Sequence, residues 1–278
     1  MISSPVCRRQ GVRSQKKTHM SYESKEELEP LNPRTLKPYL FVSVVLILFL
    51  LTIPPHPLSQ NDPAFEWHLP YSNIRDGFIS KEEAREKLKE LEILLKGSYL
   101  KTTNVEQRDR LYFPLKGYGP TAIGGKEGSG YQIQDYDFFD GNQHQGHPGH
   151  DIFIHDKNQD GIDEGAGKPV EVIAAVPGIV VSINLNWKPS SPIRGGNYLW
   201  IYDPIKSRYY YYAHLHEVFA KVGQTMSKGE PLGTVGRTGV KAYPKKSPTH
   251  LHFAVHQSVD GYPKPINPYR DLIKGDRN

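Results

Sequence analysis

The chain has 278 residues, 37% hydrophobic and 23% charged, which suits one large folded domain with or without a small extra element. A single cysteine, Cys7, excludes an intrachain disulfide and a thiolate metal site, so any metal must be held by nitrogen and oxygen. The net charge of +5 argues little for nucleic-acid binding, because residues 1–38 alone hold eight Lys/Arg against four Glu, and no basic stripe with aromatics follows.

After that polar, basic prefix comes the uncharged run YLFVSVVLILFLLTI at 39–53, followed by PPHPLSQND. Its 15 residues fall short of the roughly 20 that cross a bilayer comfortably, and are close to the apolar core of a signal peptide. A buried core helix is the bland alternative, but such uniform apolarity beside a proline-rich exit argues against it. Arg34, Lys37 and the earlier basic residues orient the N-terminus to the cytoplasmic side. The prefix is long for a signal peptide; Met20 as the start would leave a lead of ordinary length. There is no convincing small-x-small cleavage site and no following cysteine to lipidate. The balance at 39–55 favours a transmembrane signal-anchor over a cleaved signal. Either way the remainder is expected to be exported, anchored in the inner membrane facing the periplasm or secreted to the cell envelope.

Residues 56–110 read as a linker and one accessory helix. The part from 54 to 78 shows no periodicity, with Trp67 as its expected anchor on a folded domain. Ser80 and Glu83 form a capping box, and Ala84, Leu88, Leu91, Leu94 and Leu95 recur at helical spacing, so a helix is expected over 80–96, ended by Gly97. Its bland role is to cover one face of the main domain; binding a partner is the other.

The main domain is expected at 111–265. RLYFPL, from Arg110, reads as a short strand stopped by Pro114. GYGPTAIGGKEGSGYQ, from Gly117, cannot be helical. It lacks the order of a phosphate loop and reads as a flexible rim beside a groove. From 151 the chain is a series of short β-branched or aromatic segments, at 151–154, 170–176, 178–183, 197–202, 209–214, 232–235 and 251–255. Turn residues separate them, with no helical stretch of normal length between. The fold class is therefore mainly β, a compact antiparallel sheet or sandwich, with the N-terminal membrane or signal segment and one amphipathic helix attached. Residues 266–278 form a tail, and Pro265 to Tyr269 a surface strap.

Nine of the 12 histidines lie between 144 and 256. Three short segments carry the candidate chemistry: His147-Pro-Gly-His-Asp151, Tyr212-Ala-His214, and His250-Leu-His252. Two histidines two apart on a strand share a face, while Leu251 and Phe253 point to the core. A hydrolytic zinc needs about three protein ligands and an open position for water, and two further imidazoles can act as general base and oxyanion stabiliser. On this ground alone, which of the five groups are ligands stays open. His150 is expected to face away from the centre, and His144, His155, His216 and His256 to make local hydrogen bonds. Tyr212 is expected to share the face of His214 and border the cleft, with Asn142 nearby.

The order HxxxD, an isolated His after a strand, then HxH on a last strand, resembles the LytM/lysostaphin-type zinc metallopeptidases, peptidase family M23. HPGHDIFI is similar to the family's HxGxDI, GKPVEVIAAVPGIVV to its G-x-P-V segment, and GQTMSKGEPLGTVGRTG to the loop before its final motif. The resemblance covers about residues 130–260. It implies a largely antiparallel β-fold with an open groove, Zn²⁺ held by His147, Asp151 and His252, and His214 and His250 as catalytic histidines. The implied reaction is hydrolysis of peptide cross-links in bacterial peptidoglycan. Two alternatives stay open: an inactive relative that activates or regulates cell-wall amidases, against which the presence of all five residues argues, and a zinc amidase on the sugar–peptide bond. A structural envelope protein using the metal as a clip is a third.

One stretch departs from that pattern. In HDKNQDGIDEG, Asp156, Asn158 and Asp160 alternate before Gly161, like the first half of a calcium loop, but position twelve is Gly167 and no helix pair flanks it. A structural Ca²⁺ site and an acidic hairpin loop are the two readings.

Overall fold

The computed structural model describes residues 62–102 and 110–277. The apolar run at 39–53 and its basic prefix lie outside the described residues. Among the described residues no helix is long and apolar enough to cross a membrane.

The first described element is a helix that lacks a clean apolar period, α1 (Pro63–Asp76). Its signals are terminal. Asp62 caps it, its side chain accepting from Ala64 N at 2.9 Å, Pro63 occupies the first turn, and Gly77 closes it at φ +77°. The stretch expected as a linker is thus helical. Pro70 and the scattered polar residues dilute its stripe, yet Ala64, Trp67, Tyr71 and Ile74 are all buried. Trp67 is the expected anchor, fully buried and stacked between Tyr71 and Tyr209, with its Nε1–H donated to Tyr209 Oη at 3.1 Å.

The second helix, α2 (Lys81–Thr102), starts where the capping box places it, with Glu83 N donating to Ser80 Oγ at 3.1 Å. It does not stop at Gly97. Ala84, Leu88, Leu95 and Tyr99 make a continuous buried stripe, and docking Tyr99 outweighs the roughly 1 kcal/mol that a mid-helix glycine costs. Leu94 lies off this stripe and is exposed. Among the described residues there are therefore two packed helices where one was expected, and a short third, α3 (Tyr269–Ile273), in the tail. Glu92 ties α2 to the sheet, accepting from Tyr209 Oη at 2.7 Å and Ser258 Oγ at 2.5 Å.

Ten strands follow: β1 (Gly149–Phe153), β2 (Glu171–Ile173), β3 (Gly178–Asn184), β4 (Tyr198–Asp203), β5 (Arg208–Ala213), β6 (Leu215–Val218), β7 (Thr225–Met226), β8 (Pro231–Val235), β9 (His250–Val259) and β10 (Tyr262–Ile266). They form two antiparallel sheets. The larger runs β1-β9-β5-β4-β3-β7 with β10 also paired to β9; the smaller runs β2-β8-β6. The mainly β, antiparallel class is as expected, and of the sheet and sandwich alternatives the chain forms two sheets. The RLYFPL segment makes only isolated bridges, Tyr112 to Asp276 and Leu115 to Val172, and the expected strap begins inside β10.

The larger sheet is covered on both faces, which explains the unbroken apolar run YLWIY in β4. Leu199 and Ile201 enter a core shared with the small sheet, beside Val172, Leu232 and Phe253. Tyr198, Trp200 and Tyr202 enter a second core under the helices, with Trp67, Tyr71, Ile74, Leu88 and Leu95. Period two along β9 sends Leu251, Phe253 and Val255 to the inter-sheet core. His250, His252 and His256 are left on the helix-side face.

Candidate metal centre and cleft

Strand register assembles the centre. In the β1–β9 pair Asp151 lies opposite His252 and Phe153 opposite His250. On the other flank of β9, Ala213 is opposite His252, a small side chain that leaves room above the ring. Gly149, two before Asp151, is forced by this packing. A Cβ there would press on the Phe253 carbonyl, 2.9 Å from Ala254 Cβ and 3.0 Å from His252 Nε2.

His147 approaches from the segment before β1, pinned by a bridge to Gln132. Its Nε2 lies 3.1 Å from Asp151 Oδ1, and His252 Nδ1 lies 3.0 Å from the same oxygen. One ligand atom from each of His147, Asp151 and His252 falls within 4.8 Å of the others, the one such grouping of potential metal ligands among the described residues. His250 Nε2 is 3.6 Å from Asp151 Oδ1, and the His214 ring is 4.9 Å from that of His250 and 6.0 Å from that of His252. All five residues singled out in the sequence therefore meet in one place.

His214 reaches the group by an unusual backbone route. It sits between β5 and β6 at φ +65°, the left-handed region that a β-carbon disfavours. There the chain leaves the large sheet for the small one, held by His214 N to Gly195 O at 2.9 Å and Leu215 N to Asn197 O at 3.0 Å. Strain of this kind, costing on the order of 1–3 kcal/mol, gathers at functional sites. It also breaks the period-two alternation. Tyr212 consequently does not share the face of His214: it is buried between the sheets, its hydroxyl accepting from Ala175 N at 2.9 Å, and Tyr211 lines the cleft instead.

Three rings are locked by main-chain carbonyls. His147, His214 and His250 each donate Nδ1–H at 2.7 Å, to Gly130, Thr238 and Pro248 respectively. A neutral ring then keeps its lone pair on Nε2, and in His147 and His250 that atom faces the Asp151 carboxylate. Two lone pairs so opposed repel unless a proton or a metal cation stands between them. Burial opposes ionisation of Asp151, but hydrogen bonds from His147 and His252 and the positive charge of His252 and His250 hold its carboxyl well below the usual range. His147 is raised, its loss of solvent outweighed by Asp151. Burial lowers His252 and puts His214 well below its ordinary value, with the neighbouring imidazoles adding to the effect at His214. Two imidazoles and a carboxylate, with His147 fixed by the Gly130 carbonyl and a cleft open beside them, fit a divalent ion such as Zn²⁺.

The centre opens into a cleft of about 200 Å³. Its lining includes Tyr136, Phe138, Asn142, His144, Ile193 and Arg194, with Tyr71 and Arg75 from α1. Sequence reasoning missed Arg194 and the α1 residues, which carry no spacing relative to the histidines. The glycine-rich stretch 117–130 does not form the rim. None of its residues lines the cleft, and its contribution is Gly130 O, which holds His147. Asn142 lines the cleft as expected, its Oδ1 accepting from Arg194 N at 3.4 Å. His150 faces away and bonds Asn267. His256 is buried against Tyr136 Oη, and His155 and His216 are exposed. In the acidic loop, Asp156 is occupied: it accepts from the amides of Asp160 and Gly161 at 3.1 and 3.0 Å and from Thr249 Oγ1 at 2.6 Å. The loop is thus internally bonded, and the one grouping of three potential His, Cys, Asp or Glu ligands among the described residues lies elsewhere, at His147, Asp151 and His252.

Three comparisons bear on this geometry. No curated protein sequence matches the chain. Among solved structures it is similar to a zinc-containing peptidase from Vibrio cholerae, at 21% identity over 60% of this chain and 40% of that one, TM-score 0.36. It is also similar to the catalytic domain of the antimicrobial peptidase lysostaphin from Staphylococcus simulans (23%, 48% and 80%, 0.33) and to that of the prophage-encoded M23 protein EnpA from Enterococcus faecalis (20%, 56% and 95%, 0.32). The chain thus spans less than half of the Vibrio peptidase. The model of peptidase family M23 matches residues 157–268, a stretch that takes in His214, His250 and His252, while His147 and Asp151 lie just upstream. Residues 157–268 are thus similar to peptidase family M23, in keeping with the resemblance read from the sequence.

Proposed function

We propose that this chain is a zinc-dependent endopeptidase that hydrolyses the peptide cross-links of bacterial peptidoglycan. The observation that carries the reading is the convergence of His147, Asp151 and His252 on one point beneath His214 and His250, in an open cleft of an M23-like chain. His147, Asp151 and His252 would hold the ion. Bound there, Zn²⁺ would supply Lewis acidity and lower the pKa of a water molecule.

The remaining work falls to the locked imidazoles. Each of His214 and His250 gives Nδ1–H to a carbonyl and so presents Nε2 to the cleft. The burial that holds His214 neutral leaves that nitrogen free to take the proton of the attacking water. The resulting imidazolium stabilises negative charge developing on the scissile carbonyl oxygen and returns the proton to the departing amine. A basic prefix and an apolar run ahead of the domain support placement outside the cytoplasm, tethered or released, where this substrate lies.

The test is to incubate the purified, zinc-loaded chain with intact peptidoglycan and resolve the products by mass, beside His250→Ala and a chelated sample. New peptide ends that vanish in both controls are expected. Release of whole stem peptides from the sugar would make it an amidase. Absence of products with stoichiometric zinc bound would favour a regulator.

A further inference from the structure

The cleft carries a charge that the hydrolytic centre does not use. Among the described residues that line it, Asp151 is the single carboxylate, and it belongs to the centre. The cations lining it are Arg75, Arg194 and Lys241. Arg75 is satisfied within the fold, bonded to Asp76 at 2.5 Å and to Tyr198 Oη at 2.9 Å. Lys241 is exposed at the rim. Arg194 is different. It is half-buried, its guanidinium reaches only the carbonyl and ring nitrogen of His144, and no described carboxylate lies within ion-pair distance.

A guanidinium withdrawn from water without an anionic partner is costly to maintain, and a fold keeps such a group where a ligand completes it. Its position is suitable for that. Gly195, next in the chain, accepts from His214 N, and Arg194's own amide is held by Asn142. The side chain is braced by the His144 carbonyl, so its fork is preorganised beside the centre. Burial lowers its pKa, with only the hydroxyls of Tyr211 and Tyr136 opposing, which agrees with the lack of a described carboxylate within ion-pair distance.

We infer that Arg194 is a specificity-determining residue that binds a free carboxylate of the peptide substrate, close to the bond being cut. The inference rests on the peptidase reading of the same site. The carboxylate is either the α-carboxylate of a chain end or the side-chain carboxylate of a residue beside the scissile bond. Both present the planar two-oxygen edge that a guanidinium fork recognises.

The test uses the full chain and matched cross-linked peptides in three forms: both carboxylates free, α-carboxamide, and side-chain carboxamide. For the zinc-loaded wild type, amidating the recognised carboxylate is expected to lower kcat/KM by about tenfold to a hundredfold, mainly through KM, as fits loss of a charge-assisted hydrogen bond. The form that suffers identifies the source. Arg194→Gln is expected to erase the acid-to-amide difference, and Arg194→Lys to restore part of it. The same peptides are titrated into the zinc-free chain by calorimetry, where the wild type should favour the acid and Arg194→Gln should not. That arm decides the inference even if nothing is cleaved, a result that would instead sink the peptidase reading. Equal wild-type handling of acid and amides overturns it. So does an Arg194→Gln variant that is weakened equally on all forms, which would mean that Arg194 only braces His144.

Discussion

His256 offers a quantitative check on the packing beneath the cleft. It is 1% exposed, packed against Trp200 and Phe138, with Nε2 3.0 Å from Tyr136 Oη and no partner for Nδ1. Protonation would bury a charge and leave a new N–H without an acceptor. Burial, reinforced by the positive charge of His252 and His144, lowers its pKa to about 3. The unfolded chain titrates this group near 6.5. Between those values the unfolded state binds the extra proton, so stability is full above about pH 6.5 and is lost as pH falls toward 3. Integrated from about pH 7.5 to about pH 5, one such histidine removes about 2 kcal/mol. His256→Gln keeps a hydrogen-bonding partner for Tyr136 without a titrating group. Urea unfolding of both chains with chelator present, at a series of pH values, should show wild type losing about 2 kcal/mol more than the variant over that range. His144, His214 and His252 slope the same way in both chains and cancel in the difference. Parallel stability curves would refute the argument and mean that His256 is hydrated.

Other outcomes follow from the same geometry. Gly149→Ala forces β1 away from β9, since the added methyl meets backbone and the His252 ring. It should cost about 1–3 kcal/mol and weaken zinc binding together, as read by denaturation and a chelator competition; unchanged zinc affinity would contradict the register argument. Trp67→Ala should cost about 3–5 kcal/mol by thermal or urea unfolding, because a fully buried ring and its bond to Tyr209 are lost. A cost under about 1 kcal/mol would show that α1 is not anchored there. His214→Ala should lower kcat by about 10²–10⁴ while zinc stays stoichiometric, whereas Asp151→Ala should lose the metal itself. Zinc content by elemental analysis separates the two.

Local chemistry made much of this legible from the sequence. Period two along β9 put His250 and His252 on one face, the short β-branched segments announced an antiparallel sheet or sandwich, and Ser80 with Glu83 marked the start of α2. The HxxxD and HxH spacings, with the isolated His214 after a strand, selected the five residues that the fold brings together. Tertiary structure decided what depends on partners distant along the chain. The helix at Pro63–Asp76 is held by burial of Trp67 and Tyr71 on the sheet, which no local period displays. Gly97 stays helical because Tyr99 docks beyond it. Tyr212 faces away from the cleft because His214 turns left-handed as the chain changes sheets. Arg194 faces the cleft with no described carboxylate partner, a fact written only in what surrounds it. Spacing encodes which residues share a face, whereas burial and the absence of a partner are properties of the assembled neighbourhood.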